Sequence, residues 1–207
     1  MAAADEIAPT SPSRQRLLDA LAESIRERGL QRTQITDIVR IARTSRRTFY
    51  ECFTDKESCF LELIQDARAA VQAEMLAAVD PSAAWSDQID QAIDAFLGAL
   101  GSDPALTVTI SRELPSLGPE AFAFQREGTE LYARLAVQLS RSEAMCRQGV
   151  RPLSLEAAVM VVGGIGELVD RATFRGEPLQ PLAPVIKSLV KAVLAPQPAD
   201  AGRPPRS

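Results

Sequence analysis

Apolar residues recur at the three- and four-residue spacing of one helix face along most of this 207-residue chain. No stretch of useful length alternates apolar and polar residues, so the sequence predicts helices and no β-sheet. Proline and glycine clusters interrupt the helical pattern beyond residue 80 and separate five predicted helices. These lie near 86–100, 104–113, 120–148, 154–175 and 182–194. The fold class predicted from this pattern is all-α.

The region before residue 80 predicts four helices. The first spans 14–28, with Gly29 as its C-terminal cap. Thr33 is expected to cap a short second helix, and Ser45 a short third helix. The fourth helix is expected to begin at Thr54 or Asp55.

The second and third helices have the proportions of a helix-turn-helix, at about residues 34–53. Phe49 and Phe53 are spaced to pack inward from the third helix. The other side chains of that helix are then directed outward, as on a helix that enters the major groove. They are Ser45, Arg46, Arg47, Thr48, Tyr50 and Glu51.

Charge is distributed unevenly along the chain, although the net charge is only −4. Residues 14–56 contain ten Lys and Arg against six Asp and Glu, whereas residues 57–207 contain thirteen against nineteen. A basic module joined to an acidic body indicates a polyanionic partner for the first part alone.

Several classes of function are disfavoured by composition. The chain contains no histidine, the commonest general base and metal ligand, so an enzyme is less expected. Its three cysteines have neither metal-binding spacing nor an even count, which predicts ordinary buried thiols, no metal and no cofactor. No apolar run is long enough to span a membrane and no signal peptide begins the chain, which predicts a cytoplasmic protein with no membrane partner.

Residues 16–64, RLLDALAESIRERGLQRTQITDIVRIARTSRRTFYECFTDKESCFLELI, resemble the DNA-binding region of the tetracycline-repressor (TetR) family. Ordered positions at the family's spacing carry the resemblance: Arg16–Ala20, Glu27–Gly29, Thr33, Ile35, Asp37–Ile38, Ser45, Thr48–Tyr50, Phe53 and Lys56–Glu57. The resemblance implies a dimer whose two heads read a palindromic operator, and a C-terminal body that holds an inducer. Most members are repressors that the ligand releases from DNA.

The resemblance also implies the DNA-contacting residues. Arg46 and Arg47 are expected to contact guanine edges or phosphates, and Tyr50 and Lys56 match positions that contact phosphate. The hydroxyl or neighbouring amides of Thr33 could reach a phosphate as well. The complete predicted set is Thr33, Arg43, Thr44, Ser45, Arg46, Arg47, Thr48, Tyr50 and Lys56.

Five positions depart from the family pattern. Arg43 stands in the turn where glycine is usual, Thr44 replaces a small apolar residue, and Cys52 replaces histidine. The pair Arg46-Arg47 replaces Lys-Gly. A left-handed turn at Arg43 would cost about 1–2 kcal/mol, so either the turn differs or the strain is accepted. The altered turn also motivates an alternative, a helical small-molecule-binding protein or enzyme that has lost DNA binding.

The C-terminal region predicts a dimer interface formed by the helices near 154–175 and 182–194. Glycines in the segment GGIGEL, residues 163–168, would let two helices approach closely. A nucleotide-binding loop is disfavoured there because no predicted strand precedes the segment. The second helix contributes an apolar face that includes Ile186 and Leu189. A buried pair within one chain is the alternative.

Aromatic, methionine and scattered polar residues of the central region are candidates for a ligand site. They could equally form plain core, and both interpretations stay open. The predicted ligand is an unidentified small apolar inducer, because this region is rich in apolar residues and poor in clustered charge. The candidate residues are Trp85, Phe96, Arg112, Phe122, Gln125, Tyr132, Met160 and Glu167.

The predicted organisation has four parts. A disordered arm, 1–13, precedes a helix-turn-helix domain over 14–60. A ligand-binding and dimerisation domain follows over 61–195, and 196–207 form a disordered tail. The predicted function is a non-catalytic, DNA-binding transcriptional regulator, a ligand-released repressor, with an activator of the same fold as the alternative.

Overall fold

The computed structural model describes residues 11–196, and in that part of the chain every regular element is helical. This confirms the predicted all-α class. Two compact units divide the chain, one up to Ala67 and one from Arg68 onward. The predicted disordered ends fall mostly on residues 1–10 and 197–207, which lie outside the described residues.

The ten α-helices of the described residues are numbered in chain order. The first four are α1 (Pro12–Arg28), α2 (Ile35–Ile41), α3 (Arg46–Cys52) and α4 (Lys56–Ala78). The others are α5 (Trp85–Ser102), α6 (Pro104–Glu113), α7 (Pro119–Ser140), α8 (Glu143–Arg147), α9 (Leu155–Arg175) and α10 (Ala183–Leu194). Short 3-10 turns occupy 114–117 and 180–182.

In the N-terminal unit, α1, α2 and α3 pack on one another around a buried apolar core. α1 begins at Pro12, two residues before the expected start and inside the predicted arm, because the Ser11 hydroxyl accepts the Arg14 N–H at 3.3 Å. Gly29, with φ +79°, ends this helix as predicted. The largest side chains with less than 2% exposure here include Leu17, Leu18, Leu21, Ile38, Phe49, Phe60 and Ile64.

The prediction that Thr33 caps α2 is wrong, because Gln34 holds the cap position. Thr33 is 1% exposed, and its hydroxyl donates to the carbonyl of Gly29 at 2.9 Å and lies 2.9 Å from the hydroxyl of Ser24. The carboxylate of Asp37 accepts the backbone N–H of Gln34 at 3.0 Å, which satisfies one free donor at this helix start. The Thr33 hydroxyl, which the local sequence assigns to a helix cap, instead forms contacts with Ser24 and Gly29.

In the C-terminal unit, α9 packs against α6 and α7, and α10 packs against α5. Ile93, Leu97, Val169 and Ile186 are central to one of its buried apolar clusters. The single helix predicted over 120–148 is wrong in detail, since α7 ends at Ser140 and α8 starts at Glu143.

Ser142 causes this break, because its hydroxyl accepts the Met145 N–H at 3.4 Å and begins a new helix without any proline or glycine.

The cysteines do not share one environment. Cys59 is fully buried, as predicted, whereas Cys52 is half-buried and Cys146 is exposed. The expectation of three buried thiols is therefore wrong for the last two. None of the helices within residues 11–196 is long and apolar enough to cross a bilayer.

Candidate functional site

The turn between α2 and α3 is built on a strained residue. Arg43 has φ +51°, and within residues 11–196 every other residue with positive φ is a glycine. Of the two possibilities that the sequence left open, the protein has the strained left-handed turn. The N–H of Thr44 donates to the carbonyl of Val39 at 2.9 Å, so the turn also closes the end of α2.

Ser45 caps α3 as predicted. Its hydroxyl accepts the Thr48 N–H at 3.1 Å and lies 3.0 Å from the Thr48 hydroxyl. Phe49 is 0% exposed and Phe53 is 4% exposed, and their ring centroids are 5.6 Å apart. This inward packing fixes which face of the short helix is directed to solvent.

The outward face of α3 is basic and largely free of other elements. Arg46 and Arg47 are exposed, and the Arg47 guanidinium is 2.9 Å from the carboxylate of Glu51, one turn along. Tyr50 is 51% exposed and rests edge-on against Phe49, with its ring available on the same surface. Two of the predicted DNA-contacting residues, Thr44 and Thr48, are half-buried.

Lys56 holds the start of α4 to the α1–α2 connection. Its ammonium donates to the carbonyls of Leu30 at 3.0 Å and Thr33 at 3.2 Å. Two of its three donors are therefore satisfied within the unit, leaving one for an outside acceptor. The Thr33 side chain is buried, so a phosphate in this place would be contacted by the neighbouring backbone amides and not by the hydroxyl.

Arg14, which the sequence analysis did not single out, positions the end of α3. Its guanidinium lies 4.5 Å from the Phe53 ring centroid, donates to the Cys52 carbonyl at 2.6 Å and pairs with Glu62 on α4. The hydrogen bonds that Arg14 donates to the Glu62 carboxylate raise the pKa of Arg14 above its ordinary value. One cation thus connects α1, α3 and α4 and keeps the outward face of α3 in place.

A separate feature, within the C-terminal unit, is a cavity of about 290 Å³. Residues of α4, α5, α7, α8, α9 and α10 line it, and most of them are apolar. Three of the predicted ligand-site residues are among its lining, Phe96, Gln125 and Tyr132. The rings of Phe96 and Tyr132 meet edge to face, with centroids 5.9 Å apart.

The other five predicted ligand-site residues do not line this cavity. Phe122 is 65% exposed and Met160 is 77% exposed. Glu167 forms an ion pair with Arg171 at 2.6 Å, and the Arg112 guanidinium lies 6.0 Å from the Phe174 ring centroid. Trp85 packs at the edge of a neighbouring apolar cluster. An aromatic or methionine residue on a helix can face a cavity, a core or solvent, and composition does not distinguish these positions.

Sequence reasoning missed the charged residue of the cavity, Arg68. The helical spacing does indicate an inward position for this residue. Arg68 lies four residues after buried Ile64 and three before buried Val71, on the apolar face of α4. Among residues 11–196 no cluster of three or more potential metal ligands occurs.

Comparisons with known proteins agree with the geometry of the N-terminal unit. The sequence profile of bacterial regulatory proteins of the tetR family matches residues 17–63, which include the helix-turn-helix. No curated protein sequence matches the chain.

Three solved structures are similar in fold. The fatty acid degradation regulator FadR of Bacillus halodurans is 18% identical with a TM-score of 0.72, covering 88% of this chain and 96% of its own. FadR of Bacillus subtilis in complex with stearoyl-CoA is 18% identical with a TM-score of 0.70, at 87% and 98% coverage. The regulatory protein TetR of Rhodobacter sphaeroides is 19% identical with a TM-score of 0.63, at 86% and 98% coverage. Residues 17–63 match the tetR family of bacterial regulatory proteins, and the chain as a whole shares the fold of these solved regulators.

Proposed function

We propose that the protein is a homodimeric transcriptional repressor that binds a palindromic operator in the cytoplasm and is released by a small apolar ligand, without catalysis. The observation that carries this proposal is the outward face of α3. Arg46 and Arg47 are exposed there, while Phe49 and Phe53 anchor the opposite face. A short helix fixed on one side and basic on the other suits entry into the major groove.

The arginines of this face have separate tasks in the proposed complex. Arg46 and Arg47 reach base edges, where a guanidinium can donate two hydrogen bonds to guanine. Arg47 must exchange its contact with Glu51 for the base, and an exposed pair of this kind contributes little to stability. Arg43, exposed on the preceding turn, contacts a backbone phosphate and carries no base preference.

Exposed apolar side chains on α9 and α10 support a dimer built through these helices. Met160 is 77% exposed, and Leu189 is 50% exposed. A methyl group added at Gly163 or Gly164 would meet nothing within 4 Å, so packing within the chain does not explain these two helical glycines. Each costs about 1 kcal/mol relative to alanine, a cost that close approach of a partner helix would offset.

The dimer is tested by mass measurement in solution. Light scattering on the full chain should give twice the monomer mass, and the double variant M160E/L189E should give the monomer. The control is F122E, which places the same charge on an apolar residue that is 65% exposed on a different helix and should leave the mass unchanged. Wild-type protein that is monomeric at micromolar concentration contradicts the dimer.

The cavity of the C-terminal unit supports the ligand part of the proposal. Its volume, about 290 Å³, lies at the small end of the range found for small-molecule sites. The similar FadR of Bacillus subtilis was solved with stearoyl-CoA, whose acyl group is an apolar chain. Helix α4 supplies Lys56 to the N-terminal unit and cavity residues such as Met75 to the C-terminal unit. A ligand bound against α4 therefore acts on a helix that belongs to both units.

The function is tested by footprinting the DNA that flanks the protein's own gene. We expect a protected palindromic site, a loss of protection when a cavity ligand is added, and raised transcription of the adjacent gene when the protein is absent. Protection without a change in transcription would contradict the repressor, and lowered transcription in its absence would indicate an activator. Absence of any protected site in chromosome-wide selection would contradict DNA binding itself.

A further inference from the structure

The lining of the cavity contains one charged residue, Arg68, among otherwise apolar and neutral polar side chains. The neutral groups distant from it are engaged within the protein. Gln88 donates to the carbonyl of Ala83 at 2.9 Å, and Ser140 donates to the carbonyl of Val137 at 2.8 Å. Polar groups that are already satisfied contribute little to recognition, so Arg68 dominates the chemistry of this cavity.

The guanidinium of Arg68 is held in a fixed position. It lies 4.3 Å from the ring centroid of Phe124 and donates one hydrogen bond to the Phe124 carbonyl at 3.2 Å. The buried Gly128 gives it space, because a methyl group added there would stand 2.4 Å from the guanidinium carbon. Any side chain at Gly128 would displace the cation from this position.

This cation has no carboxylate partner among the described residues. The Phe124 carbonyl is its one hydrogen-bond acceptor in that part of the chain, so most of its five N–H donors are free. The exposed carboxylate of Glu127 raises the pKa of Arg68 through space, without a hydrogen bond to it. Burial lowers the pKa of Arg68, yet a guanidinium stays protonated at neutral pH. An unpaired charge beside an apolar cavity is costly until an anion meets it.

Three further polar residues of the lining surround the same end of the cavity. Gln125, Thr129 and Tyr132 share the face of α7 that contains Gly128. The Tyr132 hydroxyl donates to the backbone carbonyl of Arg68 at 3.4 Å. The cavity therefore has one polar end with a fixed cation, and the remainder of its lining is mostly apolar.

We infer that the effector is a small apolar carboxylate whose anionic group binds Arg68 and whose hydrocarbon part fills the rest of the cavity. This inference rests on the proposed function, in which the cavity holds the effector. The cavity volume, about 290 Å³, lies at the small end of the range for small-molecule sites, so a small probe is appropriate. Octanoate, with eight carbons and two carboxylate oxygens, is the probe used.

The experiment is calorimetric titration of the full chain with octanoate, 1-octanol and octanoyl-CoA. The alcohol has the same chain without a charge, and the thioester has no carboxylate at the acyl end. Wild-type protein should bind octanoate at least tenfold more tightly than 1-octanol. R68M should lose about 10- to 100-fold in octanoate affinity, the effect of removing a charged hydrogen-bonding partner, and should retain its affinity for 1-octanol.

Two further variants distinguish the charge and position of Arg68 from a general effect of substitution on folding. R134M removes an arginine of α7 that pairs with Glu130 at 2.5 Å and does not line the cavity, and it should bind octanoate as wild type does. G128A keeps the arginine but displaces its guanidinium, so it should weaken octanoate several-fold and spare 1-octanol. If R68M fails to fold, G128A carries the test.

Equal affinity of wild type for octanoate and 1-octanol would overturn the inference, as would tight octanoate binding by both R68M and G128A. Binding of octanoyl-CoA alone would overturn it as well. DNA binding is measured separately by footprinting. A protein that binds octanoate through Arg68 but protects no DNA would refute the proposed function and leave the carboxylate site intact. If octanoyl-CoA releases R68M from the operator as well as it releases wild type, the proposed function stands and the carboxylate site is refuted.

Discussion

Replacing Arg43 by glycine should raise the free energy of unfolding, although the substitution removes a whole side chain. Arg43 is exposed and has φ +51°, a conformation that costs an L-residue about 1–2 kcal/mol and glycine almost nothing. Glycine also gives the unfolded chain more freedom, which offsets about 0.4–1 kcal/mol of this gain. The expected net increase is therefore ~0.5–1 kcal/mol.

The matched control is the same substitution at Arg40, three residues earlier and inside α2. Glycine there loses about 1 kcal/mol of helix propensity and a 3.9 Å contact of Arg40 with Asp37. Urea unfolding followed by circular dichroism, at one fixed protein concentration, should separate R43G from R40G by about 1.5–2 kcal/mol. Equal destabilisation by the two substitutions would refute the claim that the turn stores strain at Arg43.

Two further predictions concern the N-terminal unit and the thiols. The Asp55 carboxylate accepts the Ser58 N–H at 2.6 Å, and this hydrogen bond lowers the pKa of Asp55, so D55A should cost about 1 kcal/mol at neutral pH. Because the folded-state pKa is the lower one, this stability is present above the ordinary carboxyl pKa of about 4 and is lost as pH falls through the lowered value. Urea unfolding at several pH values should show the gap between wild type and D55A closing at acid pH, and a gap independent of pH would contradict the assignment. Burial raises the pKa of Cys59 to about 12. A thiol reagent at pH 8 should therefore label exposed Cys146 rapidly and Cys59 only after unfolding. Peptide mass spectrometry measures the two labelling rates, and equal rates would contradict the burial of Cys59.

The parts of the fold that sequence predicts well depend on local contacts. Ser45, Phe49 and Phe53 lie within nine positions and define the start and inward face of α3 without help from the rest of the chain. Thr33 was predicted wrongly because Ser24 and Gly29, nine and four residues away, occupy its hydroxyl. A cap assigned from sequence is reliable only where no tertiary partner competes for the same group.

The candidate sites also divide into features set by local sequence and features set by tertiary packing. The outward arginines of α3 follow from helical spacing, whereas the lining of the cavity depends on how six helices come together. Met160 and Phe122 are candidate ligand residues by composition, and both are exposed and outside the cavity lining. The type of a large apolar side chain on a helix does not indicate what covers it. The charge of Arg68 predicts a surface position, although its spacing from Ile64 places it on the apolar face of α4.

The central claim, that the outward face of α3 reads DNA, is tested most directly by operator affinity measured across a salt series. Full-length wild type, R46A, R47A and the control R134A are titrated against the footprinted site and a scrambled duplex of equal length. R46A and R47A should each lose about 1–3 kcal/mol of binding free energy on the operator and relax preference at one base pair per half-site, while R134A binds as wild type does. If R46A and R47A both retain wild-type affinity and base preference, α3 is not the element that reads the operator.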